Sequence, residues 1–327
     1  MTTGSVTVLK PGLETTEQEL PGRIGYLERG FPISGPFDSW SFRQANILVG
    51  NPRDTAALEC QFLGPTLRFD TDLSVAVTGP DMRPKLDGAP VPMWQTLRVR
   101  AGQTLELGPA LTGARAYIAI SGGLDTPVVH GSRAVYRMAR VGGQALVKDE
   151  VLPIGSPHAS RGEILAIPEA ARPRFSVDRR LEVEALAGPN DDWLDPASVE
   201  MFFSADWLVQ AKSNRTGMCL TGPEFAFAAR AINKKSDHGQ DPSNIIDHGY
   251  PSGAVNLAGQ TPIILVNDAP STGGFINPFT VAGAAFWKLA QARPGEVLCF
   301  RRIDREGAAR LRAALYRVTS EGVAIRV

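Results

Sequence analysis

The chain of 327 residues has no surplus of charge: 34 Lys and Arg balance 34 Asp and Glu. Polyanion binding and attachment to anionic surfaces need a one-sided excess of cations, so neither nucleic acid nor a membrane is expected as a partner. Cysteine is scarce. Cys60, Cys219 and Cys299 are odd in number and far apart, which fits neither a disulfide framework nor a C-x-x-C metal site and points to a reducing cytoplasm. No apolar run approaches the length that spans a bilayer, and the first eleven residues lack the charged and apolar regions of a signal peptide. The four histidines (His130, His158, His238 and His248) are not at metal-ligand spacing, so no metal is expected. A phosphate-binding G-x-x-x-x-G-K-[ST] loop, a G-x-S-x-G elbow and an H-E-x-x-H helix are also missing.

What is abundant is glycine and proline, 33 and 25 residues spread along the chain, which implies frequent turns and short elements. With 43% hydrophobic residues the chain can bury a core in each of about two domains. Short period-two or β-branched stretches over 73–77, 97–100, 104–107 and 116–120 read as strands separated by Gly, Pro or Asp turns. A turn feeding an alternating strand recurs over 101–107, 148–154 and 294–300. Helical signals are few. Asp38 or Ser39 caps a helix that stops at Gly50, and Asp195-Pro196 is a cap followed by proline at the first helical position. The Ala-rich stretch over 280–291 reads as a helix, and a last helix over 304–315 places Ala308, Leu311 and Leu315 on one face. The Pro- and Arg-rich stretch over 156–180 reads as a connection, giving expected domains of residues 1–170 and 171–327.

Two groups of polar, glycine-rich segments are denser than simple turns require. The first is TTEQELPGRIGY at 15–26 with PISGPFD at 32–38; the second is SNRTG at 213–217, DPSNIID at 241–247 and APSTGGF at 269–275. Together with ANILVGN at 45–51, LEC at 58–60, SGGLD at 121–125 and GSR at 131–133, they resemble the KipA family. That family is also called allophanate hydrolase subunit 2, or the second half of the biotin-dependent carboxyltransferase domain of urea carboxylase, and includes the C subunit of 5-oxoprolinase. The resemblance runs over about residues 6–300 and lies nearest the urea carboxylase branch, through PGR at 21–23 and SNRTG at 213–217. It implies a mainly β fold of two cyclophilin-like β-barrel domains with a few short helices, and a KipI-like partner (allophanate hydrolase subunit 1).

The residue types suit that chemistry. Carboxyl transfer to an amide nitrogen needs a dry pocket, donors for developing oxyanions and a proton acceptor. Ser271, Thr272, Gly273 and Gly274 are read as an anion-binding nest, and Ser34 and Gly35, leading into the helix capped at Asp38, as another. Arg23 and Arg215 suit a two-pronged carboxylate clamp, while Gln18, Asn214, Ser243 and Asn244 supply neutral donors and acceptors. Asp38 and Asp247 are candidate bases, with Ser271 the third catalytic candidate. Each has a plainer reading: Asp38 as a helix cap, Asp241 to Asn244 as an Asx turn, Arg23 paired with a surface acid, and Ser271 to Gly274 as a hairpin turn.

Departures from the family bear on the substrate. Glu17 stands where valine is usual, Glu19 where aspartate is usual, Gly142-Gly143-Gln144 is a shortened glycine stretch, and NKKSDH at 233–238 replaces a glycine-rich acidic segment. The chain has no A-M-K-M biotin attachment site and no ATP-grasp glycine loop, so biotin, on a carrier with its carboxylase, and any ATP would come through partner polypeptides. Three functions follow from the resemblance: a carboxyltransferase subunit acting on urea or a related amide, a subunit of an ATP-dependent cyclic amide hydrolase, and a regulatory protein antagonising a KipI-like kinase inhibitor.

Overall fold

The computed structural model describes residues 4–157 and 163–327, so His158 and part of the expected connection lie outside the described residues. The chain forms two units. One comprises the described residues of Met1–Ile24, Ser34–Phe175 and Leu315–Val327, the other Gly25–Ile33 and Ser176–Ala314.

The first unit holds β1 (Gly4–Lys10), β2 (Glu14–Gln18), β3 (Ala57–Gln61), β4 (Thr66–Phe69), β5 (Leu73–Thr78), β6 (Lys85–Leu86), β7 (Ala89–Pro90), β8 (Thr96–Val99), β9 (Thr104–Glu106), β10 (Arg115–Ile120), β11 (Val151–Ile154) and β12 (Leu165–Ala166). The first eleven form a six-stranded sheet ordered β11-β1-β4-β9-β6-β7 and a five-stranded sheet ordered β2-β3-β10-β5-β8. One core lies between them: Val6, Leu67, Leu105 and Leu152 from the first sheet meet Leu58, Val75, Leu97 and Ile118 from the second. The other face of the five-stranded sheet is covered by α1 (Ser39–Leu48), whose Phe42, Ala45 and Leu48 pack on Ala76, Tyr117 and Ala119. Side chains alternate along a strand, so β10 gives Ala116, Ile118 and Ile120 to one core and Tyr117 and Ala119 to the other. Hence all six of its residues are buried.

In the second unit β13 (Arg180–Ala187), β14 (Asp206–Val209), β15 (Gly217–Thr221), β17 (Ala254–Ala258), β18 (Thr261–Leu265), β20 (Phe279–Val281) and β21 (Val297–Arg302) close into a seven-stranded barrel, while β16 (Asn244–Gly249) pairs with β19 (Thr272–Phe275). Closure is made by β13 running parallel to β21 and antiparallel to β20. Phe202, from α2 (Pro196–Ser204), fills the barrel by stacking on Phe279 at 3.7 Å and on Phe300 at 4.4 Å. Asp195 caps α2 by accepting from Ala197 N, and Pro196 is its first residue, as the sequence implies. The remaining helices are α3 (Ala229–Ile232), α4 (Phe286–Gln291) and α5 (Arg305–Val318), and the final strand β22 (Ile325–Arg326) pairs with β12.

The mainly β expectation therefore holds, and barrel closure is seen in the second unit. One helix is corrected. The stretch over 280–291 divides into the end of β20, a 3₁₀ turn at Gly283–Ala285 and only then α4, because pairing of Thr280 and Val281 with β13 outweighs the helix propensity of the alanines that follow.

Candidate functional site

In the first unit every candidate is buried. Gln18 ends β2 with no exposed surface, and its Nε2 donates to Thr16 Oγ1 at 3.1 Å and to the Val135 carbonyl at 3.2 Å. Arg23 is also fully buried; its guanidinium donates to the Val129 carbonyl at 3.4 Å and, at 2.7 Å, to the Ala134 carbonyl. Both side chains thus hold the segment over 129–135. Glu17 joins them, since both of its carboxylate oxygens accept from Thr126 Oγ1, at 2.8 and 2.7 Å, and Glu19 accepts from Arg133 N at 2.7 Å. Burial is the main cause that pushes the Glu17 carboxyl up from 4.5 to about 7, against the lowering effect of Thr126 and Arg133.

Ser34 and Gly35 both have left-handed backbone, with φ of 58° and 85°, and a Cβ on Gly35 would stand 3.1 Å from the Glu19 carbonyl. The amides that follow are aimed at the protein itself. Phe37 N donates to Glu59 Oε2 at 2.8 Å and Asp38 N to the Tyr117 hydroxyl at 2.7 Å, and that hydroxyl donates to Glu59 Oε2 at 2.7 Å. The expected anion receptor therefore receives an internal carboxylate. Glu59 also faces Arg115 at 3.5 Å, and burial, then the charge of Glu59, pushes the Tyr117 phenol well up. Asp38, with no exposed surface, accepts from Trp40 N and Ser41 N at 3.0 Å and from Ser41 Oγ at 2.7 Å, which makes it the cap of α1.

The second unit divides its candidates between inside and outside. Arg215 is buried and forks onto Asp268, with Nε to Oδ2 at 2.9 Å and a second contact at 3.3 Å, so this clamp also holds a carboxylate of the chain. Asn214 is exposed and turns the chain through Oδ1, which accepts from Thr216 N at 2.7 Å. Ser243 is buried between Asp241, which accepts from its hydroxyl at 2.7 Å, and Gly259 N, which donates to it at 3.0 Å. Asn244, Asp247, Thr272, Gly273 and Gly274 lie on the β16–β19 ribbon. Thr272–Phe275 is an extended strand, so the alternating dihedrals of a nest are replaced by a ladder. The glycines serve close approach instead: a Cβ on Gly273 would stand 2.5 Å from the Tyr250 ring, and one on Gly274 would stand 3.0 Å from Asp247 Oδ1. Asp247 is exposed, and its charge, after burial, helps to raise the Tyr250 phenol. The Tyr250 hydroxyl accepts from Phe275 N at 2.6 Å, His248 meets its ring edge-on at 5.2 Å, and Ser271 Oγ donates to the Leu27 carbonyl at 3.2 Å.

Sequence reasoning missed three contributors. Glu59 and Tyr117 sit in apolar strands, where a buried acid and phenol give no periodic signal. Lys234 lies in the basic segment already noted as a departure, and its ammonium donates to the carbonyls of Asp241 and Asn244, closing the loop that carries Ser243 and Asn244. Among the described residues no group of three or more His, Cys, Asp and Glu is placed to hold a metal ion, and no helix is long and apolar enough to cross a membrane.

The family model for the carboxyltransferase domain, subdomain A and B, matches residues 29–302. Urea amidolyase of Saccharomyces cerevisiae is 35% identical over 316 residues, covering 94% of this chain and 17% of that protein. A putative urea carboxylase of Emericella nidulans is 36% identical over 325 residues, covering 97% of this chain and 26% of that protein. The C subunit of 5-oxoprolinase from Escherichia coli is 31% identical over 310 residues, covering 93% of each. The solved urea carboxylase of Kluyveromyces lactis superposes with a TM-score of 0.90 at 33% identity, over 100% of this chain and 30% of that one. The chain thus spans between a sixth and a third of the urea-processing relatives it matches. It belongs to the carboxyltransferase domain family, subdomains A and B, and is a component of an enzyme.

Proposed function

We propose that the chain is the part of a biotin-dependent carboxyltransferase that moves a carboxyl group to urea or a related small amide, together with a KipI-like subunit and with biotin carried on another polypeptide. The observation that carries this reading is the whole-chain superposition on the Kluyveromyces lactis urea carboxylase. In the second unit the exposed Asn214 amide and Thr272 hydroxyl and the half-buried Asn244 amide supply donors suited to a neutral ureido ring, with the exposed Asp247 carboxylate on the same ribbon as Asn244 and Thr272. When bound, carboxybiotin supplies the carboxyl group. Asp247 takes the proton from the attacking amide nitrogen at Oδ1, a role worth roughly 10²–10⁴ in rate. The Thr272 hydroxyl and the Asn244 amide orient the amide carbonyl by donating hydrogen bonds to it, while Ser271, whose hydroxyl donates to the Leu27 carbonyl, holds the start of the ribbon. The buried candidates Gln18, Arg23, Ser34, Gly35, Asp38, Arg215 and Ser243 act through the backbone they hold.

The test combines this protein with a KipI-like subunit, a biotin carboxylase and a biotinylated carrier, and follows transfer of labelled bicarbonate to urea and to small amides. Avidin-sensitive labelling supports the reading; no labelled product from any of these acceptors overturns it. A second reading is supported by the match to the C subunit of 5-oxoprolinase over 93% of both chains. In that reading the protein assists ATP-dependent opening of a cyclic amide, with ATP bound by partners. Phosphate release that depends on 5-oxoproline and is indifferent to avidin would select it.

A further inference from the structure

The first unit has a cleft of about 580 Å³ that shares no residue with the candidate site. It is lined by three cations, Arg83, Lys85 and Arg172, and one acid, Asp81, over an apolar floor that includes Met93 and Trp94. Its volume is that of a small-molecule site. Its construction is specific. Arg83 and Lys85 approach from the turn and hairpin at the edge of the six-stranded sheet, where Arg83 N donates to Asp81 Oδ1 at 2.7 Å. That contact turns the acid toward backbone. Arg172 is fixed by its Nε, which donates to the Ile167 carbonyl at 2.8 Å, and its guanidinium stands 5.8 Å from the centre of the Trp94 ring, with Glu169 its acidic neighbour. Among the described residues, neither Arg83 nor Lys85 forms an ion pair with a carboxylate, and both are exposed.

Two lining residues hold left-handed backbone without being glycine: Arg83 with φ of 47° and Trp94 with φ of 63°. A bulky residue adopts this conformation only when its surroundings impose it. Trp94 is locked there by its amide, which donates to the Val77 carbonyl at 2.8 Å, and by its carbonyl, which accepts from Ile167 N at 2.9 Å. The result is three positive charges arranged around an apolar floor, in a chain whose total charge is zero.

We infer that this cleft binds an organic anion with an apolar body and a phosphate, sulfonate or carboxylate group, the body resting on Met93 and Trp94 and the anion met by Arg83, Lys85 and Arg172. The charge excess selects the anion, and the apolar floor distinguishes such a ligand from a bare inorganic ion.

The test uses the full chain and the fluorescent probe 8-anilinonaphthalene-1-sulfonate, with its uncharged relative N-phenyl-1-naphthylamine as the control. The sulfonate should bind at low salt, weaken when the salt is raised to about 0.3 M, and bind well ahead of the neutral probe. Reversing both exposed charges, Arg83→Glu with Lys85→Glu, should weaken sulfonate binding at least about tenfold, while the exchange Arg83→Lys with Lys85→Arg should retain it. Melting temperatures of both double variants should equal that of the parent protein, because both positions are exposed. Equal binding of the sulfonate to the charge-reversed variant, or equal binding of the charged and neutral probes, overturns the inference.

Discussion

Burial disfavours the ionised form of a carboxyl group, and Glu17 is buried, with the Thr126 hydroxyl only partly offsetting that effect. Its carboxyl is raised from 4.5 to about 7, so the fold favours the protonated form. The stability this contributes is complete below about pH 4.5 and is lost as pH rises toward 7, an amount of roughly 3 kcal/mol at about 1.4 kcal/mol per tenfold change. Glu17→Gln should therefore melt higher than the parent at pH 8 and alike at pH 4.5. Identical differences at both pH values would refute this origin. The two candidate bases are separable in the same way. Asp38→Ala removes a cap with three bonds and should cost about 1–2 kcal/mol of stability. Asp247→Asn should leave melting unchanged and slow the reconstituted transfer at least about a hundredfold. A fully active Asp247→Asn protein would reassign the base.

At the scale of elements, Lys234 ties two carbonyls of one loop, at Asp241 and Asn244. Lys234→Met should release the loop and raise KM for the acceptor more than it lowers kcat, and Lys234→Arg should restore part of the loss. A variant with unchanged KM would show that the loop holds its form without the ammonium. The sequence announces such elements unevenly. Asp38 and Asp195 announce their helices, because a cap acts within three residues of itself. Strands β5, β8, β9 and β10 announce themselves through β-branched alternation and Gly or Asp turns. The anion receptors are legible as chemistry but not as partners: the amide of Phe37 binds Glu59 and the fork of Arg215 binds Asp268, each acid more than 20 positions away. Local sequence reveals that a donor wants an anion; only the fold says whose anion it is. The strand at Thr272–Phe275 escapes a local reading for a related reason, since its glycines answer to Tyr250 and Asp247 across the ribbon.

At the scale of the whole molecule, the first unit includes the distant segment Leu315–Val327, which follows the second unit in sequence. Gln44 Nε2 donates to the Val318 carbonyl at 2.7 Å, Arg53 lies 4.7 Å from the centre of the Tyr316 ring, and Val323 and Ala324 pack against the α1 core. Deleting residues 315–327 removes all of these contacts. It should lower the stability of the first unit by roughly 2–4 kcal/mol, visible by calorimetry as an earlier transition with the second unit's transition unmoved. An unchanged thermogram would contradict that assignment. The same arrangement sets a timetable for synthesis. The strands of the first unit leave the ribosome well before residues 315–327 that complete it, so Gln44 lacks its Val318 acceptor and the α1 core part of its cover until some 270 further residues have been translated. A nascent chain paused before residue 315 should therefore expose the apolar surface around α1 to chaperones, although almost all of the sequence of that unit has already been made.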